Sequence, residues 1–435
     1  MIKAGSNTIG NAIIDSSEIR KAYYRGYLVY YKAPEQYIVF ADSEVEQICA
    51  TNWGDGVGIK PSQASQVTRT QFGTTFRNNS TITSFNELSY FTGLTGAFSA
   101  YAFENDSALE SITIPSWVTS LPDYCFSGCT SLSEITFLGT SINTRSTYIF
   151  NYCGNLTRIN IPNADFWVRS LTSDSCFGYY SHETHLYING VELTSITVPN
   201  DLTAIEKNTF QWCVGLEEII LPSTITSIGN YAFEGCSGLI NLSIPCGVSM
   251  VNISKCGNGT GILHISGNAT GGRYDRGDIN FKHVIIEGNV TFGGSSSLLI
   301  NIQVIESVRV YGNLTGNSFS MFNGSSPTCK FVEVNGVISS YLFYMNSCPQ
   351  SFILHLGYDG KGMNKPSMVS NSSSYVATVM GRITKIYVGP GESQAGDQAV
   401  LDAYLADADW ATYSSKLDLW YNYNGDYKVA PTITS

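Results

Sequence analysis

The feature that most restricts what this chain can fold into is a sequence that repeats itself every 23 residues. Residues 193–248 read LTSITVPNDLTAIEKNTFQWC, VGLEEIILPSTITSIGNYAFEGC and SGLINLSIPCGV in succession. Leu193/Leu216/Leu239, Ile196/Ile219/Leu242, Val198/Leu221/Ile244 and Pro199/Pro222/Pro245 recur at that spacing, and Ile205/Ile228, Phe210/Phe233 and Cys213/Cys236 keep the same period. A unit this short cannot bury an apolar face alone, so successive units must stack, each packing on its neighbours. Within each unit the pattern Leu-x-x-Ile-x-Val alternates like a strand with one buried face. The proline ends the strand because it cannot donate to a ladder, and the Phe and Cys fill the core from the opposite wall.

Leucine-like residues at fixed offsets and a period of about 20–29 residues are the pattern of a leucine-rich-repeat solenoid. The expected fold is a β-rich (α+β) solenoid of ~23-residue coils with a small N-terminal β module, a helical N-cap and a C-terminal helical cap. Residues 1–34 hold EIRKAYYRGYLVYYKAP, two short aromatic strands turning at Arg25-Gly26, and form an anchoring hairpin. Residues 35–98 carry helical spacing (Val39/Phe40, Val45, Ile48/Cys49), a Gly-rich turn, a second helix from Pro61 and a divergent first coil, TITSFNELSYFTGLTGAF. Residues 99–249 are the regular repeats. Residues 250–390 lose the consensus but keep the beat in ILHISGN, HVIIEGN, SVRVYGN, KFVEVNG and SFILHLG. Their Gly-Asn and Asn-Gly pairs read as turn formers, and a parallel β-helix is the alternative for this part. TKIYVGP (384–390) is expected to be the last strand, after the polar spacer GYDGKGMNKPSMVSNSSSY. Residues 391–435 are the cap, with Ala399, Val400, Ala403, Tyr404 and Ala408 on one helix face and a tail, YNYNGDYKVAPTITS, read as a final hairpin or loose end.

Composition excludes whole classes of function. With 43% hydrophobic and 14% charged residues the chain has ample core material, unlike a disordered segment. A net charge of −11 with scattered Lys and Arg argues against a nucleic-acid partner, which needs clustered positive charge. No apolar run reaches membrane-span length, and MIKAGSNTIGNAIIDSSEIR lacks the pattern of a signal peptide, so neither membrane insertion nor leader-directed export is expected. Among eleven cysteines, Cys129, Cys153, Cys213 and Cys236 each lie three residues after a Phe. One repeat phase means one ladder, so they read as reduced core residues, with disulfides between stacked coils as the alternative.

Candidate chemistry is sparse. NWGDGVGIKPSQ has glycines where a calcium loop needs oxygen ligands. His182 and His185, two of five histidines, lie in GYYSHETHLYING, which is expected to leave the solenoid as a loop or ribbon, and a metal would need a third ligand. Cys125-x-x-x-Cys129 falls inside a repeat. There is no nucleophile elbow, phosphate loop or HExxH, so the chain is not expected to be an enzyme and no cofactor or metal is called for.

The block from about 103 to 248, LTSITVPNDLTAIEKNTFQWC and LPSTITSIGNYAFEGC above all, resembles the BspA-like leucine-rich repeats, a family of surface adhesins with no catalytic residues to transfer. EIRKAYYRGYLVYY resembles short N-terminal modules on virion proteins of phages that infect gut Bacteroidetes. The resemblance implies a virion protein, a tail or capsid fibre or decoration, that binds a host-surface protein or polysaccharide, with a bacterial cell-surface adhesin as the alternative. Tyr23, Tyr24, Tyr27, Tyr30 and Tyr31 would anchor it to other virion proteins, and it could pair with copies of itself. Glu110, Glu134, Arg158, Ser195, Glu218 and Asn241, at corresponding strand positions, are the candidate contacts of the solenoid face.

Overall fold

The computed structural model describes residues 19–24, 27–32, 35–142, 148–170, 183–273, 279–292, 296–297, 299–300, 305–316, 320–323, 328–338, 341–343, 351–357, 373–390, 393–428 and 430–431. Ile19–Tyr24 and Tyr27–Lys32 pair as an antiparallel hairpin with Tyr24 opposite Tyr27, a sheet of two strands. The side chains of its five tyrosines lie outside the described residues, as do His182 and most of the spacer after Gly357.

The cap helix begins at Ser43, so Val39 and Phe40 precede it in extended backbone. Asp42 explains the boundary. One carboxylate oxygen accepts from Glu44 N at 2.8 Å and Val45 N at 3.3 Å, capping the helix, while the other takes Thr83 N at 2.6 Å and Thr83 Oγ1 at 2.8 Å. Burial would raise this carboxyl, but the Thr83 and helix amides hold it below its ordinary range. One side chain thus caps the helix and ties it to the first coil. Pro61–Ala64 and Arg69–Phe72 follow as short helices. Asp55 serves its own turn by accepting from Val57 N, Gly58 N and Tyr37 Oη.

The solenoid sheet comes in two runs and is parallel except at one edge of the first, where Val191–Glu192 pairs antiparallel. The first joins Ser84–Phe85, Ser111–Ile114, Glu134–Phe137, Arg158–Asn160 and His185–Ile188, so the divergent first coil is the start of the ladder. The structure corrects the expectation for GYYSHETHLYING: His185–Ile188 is a strand of the sheet, and only then does the chain reverse into Val191–Glu192. His185 Nδ1 lies 2.5 Å from Glu192 Oε1 across that reversal. The second run is ten-stranded, from Ser195–Thr197 to Leu417–Leu419. Ile383–Val388 is therefore not the last strand, because Leu417–Leu419 pairs with it in parallel after the helix Gln394–Leu405. One apolar core extends along both runs, from Ile38 to Leu417.

The core shows what a repeat does to its contents. Phe103, Phe126 and Phe150 stack at 5.1 and 5.5 Å, tilted by under 10°, and Phe210 and Phe233 stack at 5.5 Å. The thiols of Cys129, Cys153 and Cys236 each donate to the carbonyl of the Phe one coil back, at 3.1, 3.0 and 2.9 Å. The nine described cysteines carry no disulfide, and eight are buried. The turn around each Phe is held by two left-handed residues, two before and two after it. Tyr101 and Asn105 flank Phe103, Tyr124 and Gly128 flank Phe126, and Asn208 and Trp212 flank Phe210. Non-glycine residues rarely adopt this conformation, so the coil-to-coil packing imposes it.

Asp106 occupies the cysteine position of its coil. It is fully buried, and one carboxylate oxygen accepts from Asn79 N at 2.9 Å. Burial pushes it up to about 8.

In residues 250–340 the coils acquire further walls. Val248–Ser249, Ala269–Thr270, Val290–Phe292 and Leu314–Gly316 form a second parallel sheet, and Leu299–Ile300, Ser320–Asn323 and Tyr341–Phe343 a third. The cross-section is that of a parallel β-helix, while the front sheet continues from the repeats without a break. The Gly-Asn pairs at its corners are not there for turn conformation. None of Gly267, Gly288, Gly312 and Gly336 has a positive φ. A Cβ on Gly312 would instead lie 2.3 Å from the Gly288 carbonyl oxygen, and one on Gly336 2.2 Å from that of Gly312. The asparagines form a ladder: Oδ1 of Asn268, Asn289 and Asn313 accept from the amides of Asn289, Asn313 and Val337, each at 2.8 Å.

Two expectations follow. Gly312→Ala would force the coils apart and cost on the order of 1–3 kcal/mol, read as a lower denaturation midpoint at unchanged m-value. For Asp106, the folded-state value lies above the unfolded one. The acid therefore contributes stability that is full below about pH 4 and lost as pH rises towards 8. Asp106→Asn should raise the melting temperature at pH 8 more than at pH 5; an equal gain at both would show that the carboxyl is not titrating.

Candidate functional site

The sheet's outer face divides the predicted contacts into two groups. Glu134 and Arg158 are cross-strand partners, with Arg158 Nε 3.3 Å from Glu134 Oε1 and its guanidinium 3.5 Å over the Tyr187 ring. Ser195, Glu218 and Asn241 form a row in the second run. Ser195 Oγ donates to Glu218 Oε2 at 2.9 Å, and Asn241 Oδ1 accepts from Ile262 N at 2.9 Å. Glu110 is out of step by one residue, since Ser111 is the residue opposite Glu134. Its carbonyl accepts the amides of Ser133 and Glu134 instead.

Further along the sheet the outer face is no longer open. Early strands alternate half-buried and buried residues, whereas Ser307–Val310 and Phe331–Val334 are buried at every position. The cover is the C-terminal segment, whose sequence reads as a hairpin or loose end. After Leu417–Leu419 the chain turns back over the sheet, across strands made earlier. Asp397, buried in the cap helix, accepts Tyr421 N at 2.7 Å and fixes the start of this return. The Trp420 ring lies 3.9 Å from that of His355, Tyr427 stacks on Phe331 at 4.8 Å, and Tyr427 Oη donates to Glu306 at 3.1 Å.

Beneath this strap lie three buried polar residues on adjacent strands, Arg309, Glu333 and His355, in direct register. Arg309 Nη1 donates to Glu333, and its Nη2 donates to the Tyr427 carbonyl at 2.6 Å. His355 Nε2 lies 2.9 Å from the Gly389 carbonyl oxygen. Its Nδ1 is 3.1 Å from Glu333 Oε1, an ion-pair distance without hydrogen-bond alignment. Burial would raise the Glu333 carboxyl, but His355 and the Arg309 charge hold it below its ordinary range.

The strap stops short of the next strands, and a cavity of about 480 Å³ opens where it does. Ile262 and Ile285 form the floor, Ser243, His264, Glu287 and Tyr311 the polar lining, and Ala430 and Pro431 one wall. Ser243 Oγ lies 3.4 Å from His264 Nδ1, and His264 Nε2 lies 3.0 Å from Glu287 Oε1. A serine–histidine–carboxylate line has the parts of a proton relay. The oxyanion stabilisation that acyl transfer needs is another matter, because the amides of these strands are spent in the parallel ladder. The arrangement is suited to holding a ligand by hydroxyl, imidazole and carboxylate above an apolar strip.

None of these residues is among the sequence candidates, where His182 and His185 are the histidines that stand out. A signal was present. ILHI, SVRV, FVEV and ILHL each place a polar residue at the third of four strand positions, within otherwise apolar runs, which marks a row that is covered or functional.

Residues 96–190 and 181–266 match the family model described as the BspA type Leucine rich repeat region, in six copies. The middle of this chain is thus similar to BspA-type leucine-rich repeats. Two solved structures are similar. A leucine-rich repeat protein from Bacteroides ovatus ATCC 8483 is 17% identical, with 63% of this chain and 77% of that one covered and a TM-score of 0.33. A leucine rich cell surface protein from Faecalibacterium prausnitzii A2-165 is 13% identical, with 65% and 85% covered and a TM-score of 0.25. No curated protein matches. Among the described residues no three His, Cys, Asp or Glu side chains cluster as metal ligands, and no helix is long and apolar enough to cross a membrane.

The buried ion pair gives a sharp test of the strap. Arg309→Ala leaves Glu333 charged beneath the aromatic cover and should cost about 3–5 kcal/mol, measured by chemical denaturation.

Proposed function

We propose that this chain is a non-enzymatic adhesion protein that presents its repeat sheet to a host-surface protein or glycan, displayed on a phage particle through its N-terminal hairpin. The observation that carries the adhesion reading is the outer face of the sheet. Rows of polar side chains at fixed strand spacing run into an open cavity with an apolar floor, a surface suited to distributed contacts with an extended partner. The match to BspA-type repeats supports the same reading. For display, the supporting feature is that residues 19–32 form a two-stranded sheet of their own, separate from the solenoid strands. Display on a bacterial cell surface is the second reading, favoured by the same repeat match.

The test has two arms. The chain should be recovered in purified, DNA-containing particles, and protein lacking residues 1–34 should still bind host cells while failing to join particles. Absence from particles together with recovery in a bacterial envelope fraction would replace the first reading with the second. Loss of cell binding on removing residues 1–34 would show that the hairpin, not the sheet, makes the contact.

A further inference from the structure

The outer face of the ten-stranded sheet holds two histidines in one row of strand positions, His264 and His355, each with a glutamate carboxylate at 3.0–3.1 Å. They differ in what lies on top. His355 and Glu333 are sealed, their side chains 2% and 6% exposed, with the Trp420 ring stacked on the imidazole at an angle of 16°. His264 and Glu287 are 26% and 50% exposed, and among the described residues no ring stacks on His264. Each histidine sits between apolar neighbours on its own strand. The carboxylates reach them differently: Glu333 is directly opposite His355, whereas Ile285 is opposite His264 and Glu287 follows just past the end of that strand.

We propose that the His264–Glu287 cavity receives the aromatic side chain of an extended polypeptide segment from a partner, seated on His264 as Trp420 is seated on His355. The strap is the model for the partner's chemistry. It holds to this face by flat rings, Trp420 on His355 and Tyr427 on Phe331, rather than by strand pairing. It has to, because the backbone of every strand beneath is already spent in the parallel ladder, which leaves side chains as the means of recognition. The cavity is continuous with that established contact, since Ala430 and Pro431 of the strap are its wall. Its volume of about 480 Å³ falls within the roughly 300–1,000 Å³ of ligand sites. A partner ring would thus extend an aromatic layer that the chain has begun with its own C-terminal residues. The proposal deepens the adhesion reading and rests on it for the partner's origin.

The experiment titrates the full chain by calorimetry with a synthetic peptide of residues 419–428, LWYNYNGDYK, and with a version in which alanine replaces its Trp and three Tyr. The aromatic peptide should bind saturably and the alanine version should not. His264→Ala should weaken binding about tenfold, and His264→Phe, which restores a ring, should recover most of it. Binding unchanged in His264→Ala would place the peptide elsewhere, on a face vacated by the strap for instance, and overturn the proposal. So would no binding, or His264-dependent binding of a soluble polysaccharide in place of the peptide. Host-cell binding measured on the same variants separates the two levels. Cells bound without peptide binding sinks this site alone, and loss of both in the unmodified chain sinks the adhesion reading with it.

Discussion

Everything in this molecule depends on the distance between one coil and the next, about 4.8 Å along the ladder. At that spacing a side chain's principal neighbour is the residue at the same phase one coil away, so each phase must suit its own copies. Rings stack almost flat, thiols line up behind carbonyls, and asparagines pass hydrogen bonds from coil to coil. The rule is strict where backbone meets backbone, which is why four successive glycines occupy one corner. It is looser within the core, where Asp106 takes a cysteine's place and pays with an elevated proton affinity.

The two faces of the sheet obey different rules along the length of the chain. In the regular repeats the inner face is core and the outer face is wet, and surface polar residues satisfy one another across strands. From about residue 307 the outer face is also covered, by aromatic residues from the C-terminal segment. A row of polar side chains passes beneath that cover, where Arg309 donates to Glu333 and His355 lies within ion-pair distance of the same carboxylate. Where the cover ends, the same row emerges as the cavity at His264. The candidate site is in this sense a property of the boundary between open and sealed sheet.

The repeat made the fold legible. Period, strand alternation and the Phe and Cys phases translate directly into stacked coils because identical letters demand identical surroundings. The cap helix Gln394–Leu405 was legible from Val400 and Tyr404, which it buries, although Ala399 is exposed and Ala408 begins the next helix. Three things were not. HLYI looked like an interruption because its sequence departs from the repeat, yet backbone pairing accepted it as a strand. The Gly-Asn corners looked like turns because close approach and positive φ both select glycine. The strap was invisible, since nothing local distinguishes a loose aromatic tail from one that packs more than a hundred residues upstream, and with it went the site at its edge.

The strap also gives the molecule an order of events. A solenoid is otherwise built from near neighbours, each coil able to settle on the one before it as soon as both exist. Tyr427, by contrast, contacts Glu306 and Arg309 across separations of 121 and 118 residues. The outer side of the strands at 307–310 and 331–334 therefore stays solvent-facing, with an arginine and a glutamate at its centre, until a segment about 120 residues further along the chain is available to cover it. The strap is thus the long-range closure of a structure whose other contacts are made between neighbouring coils.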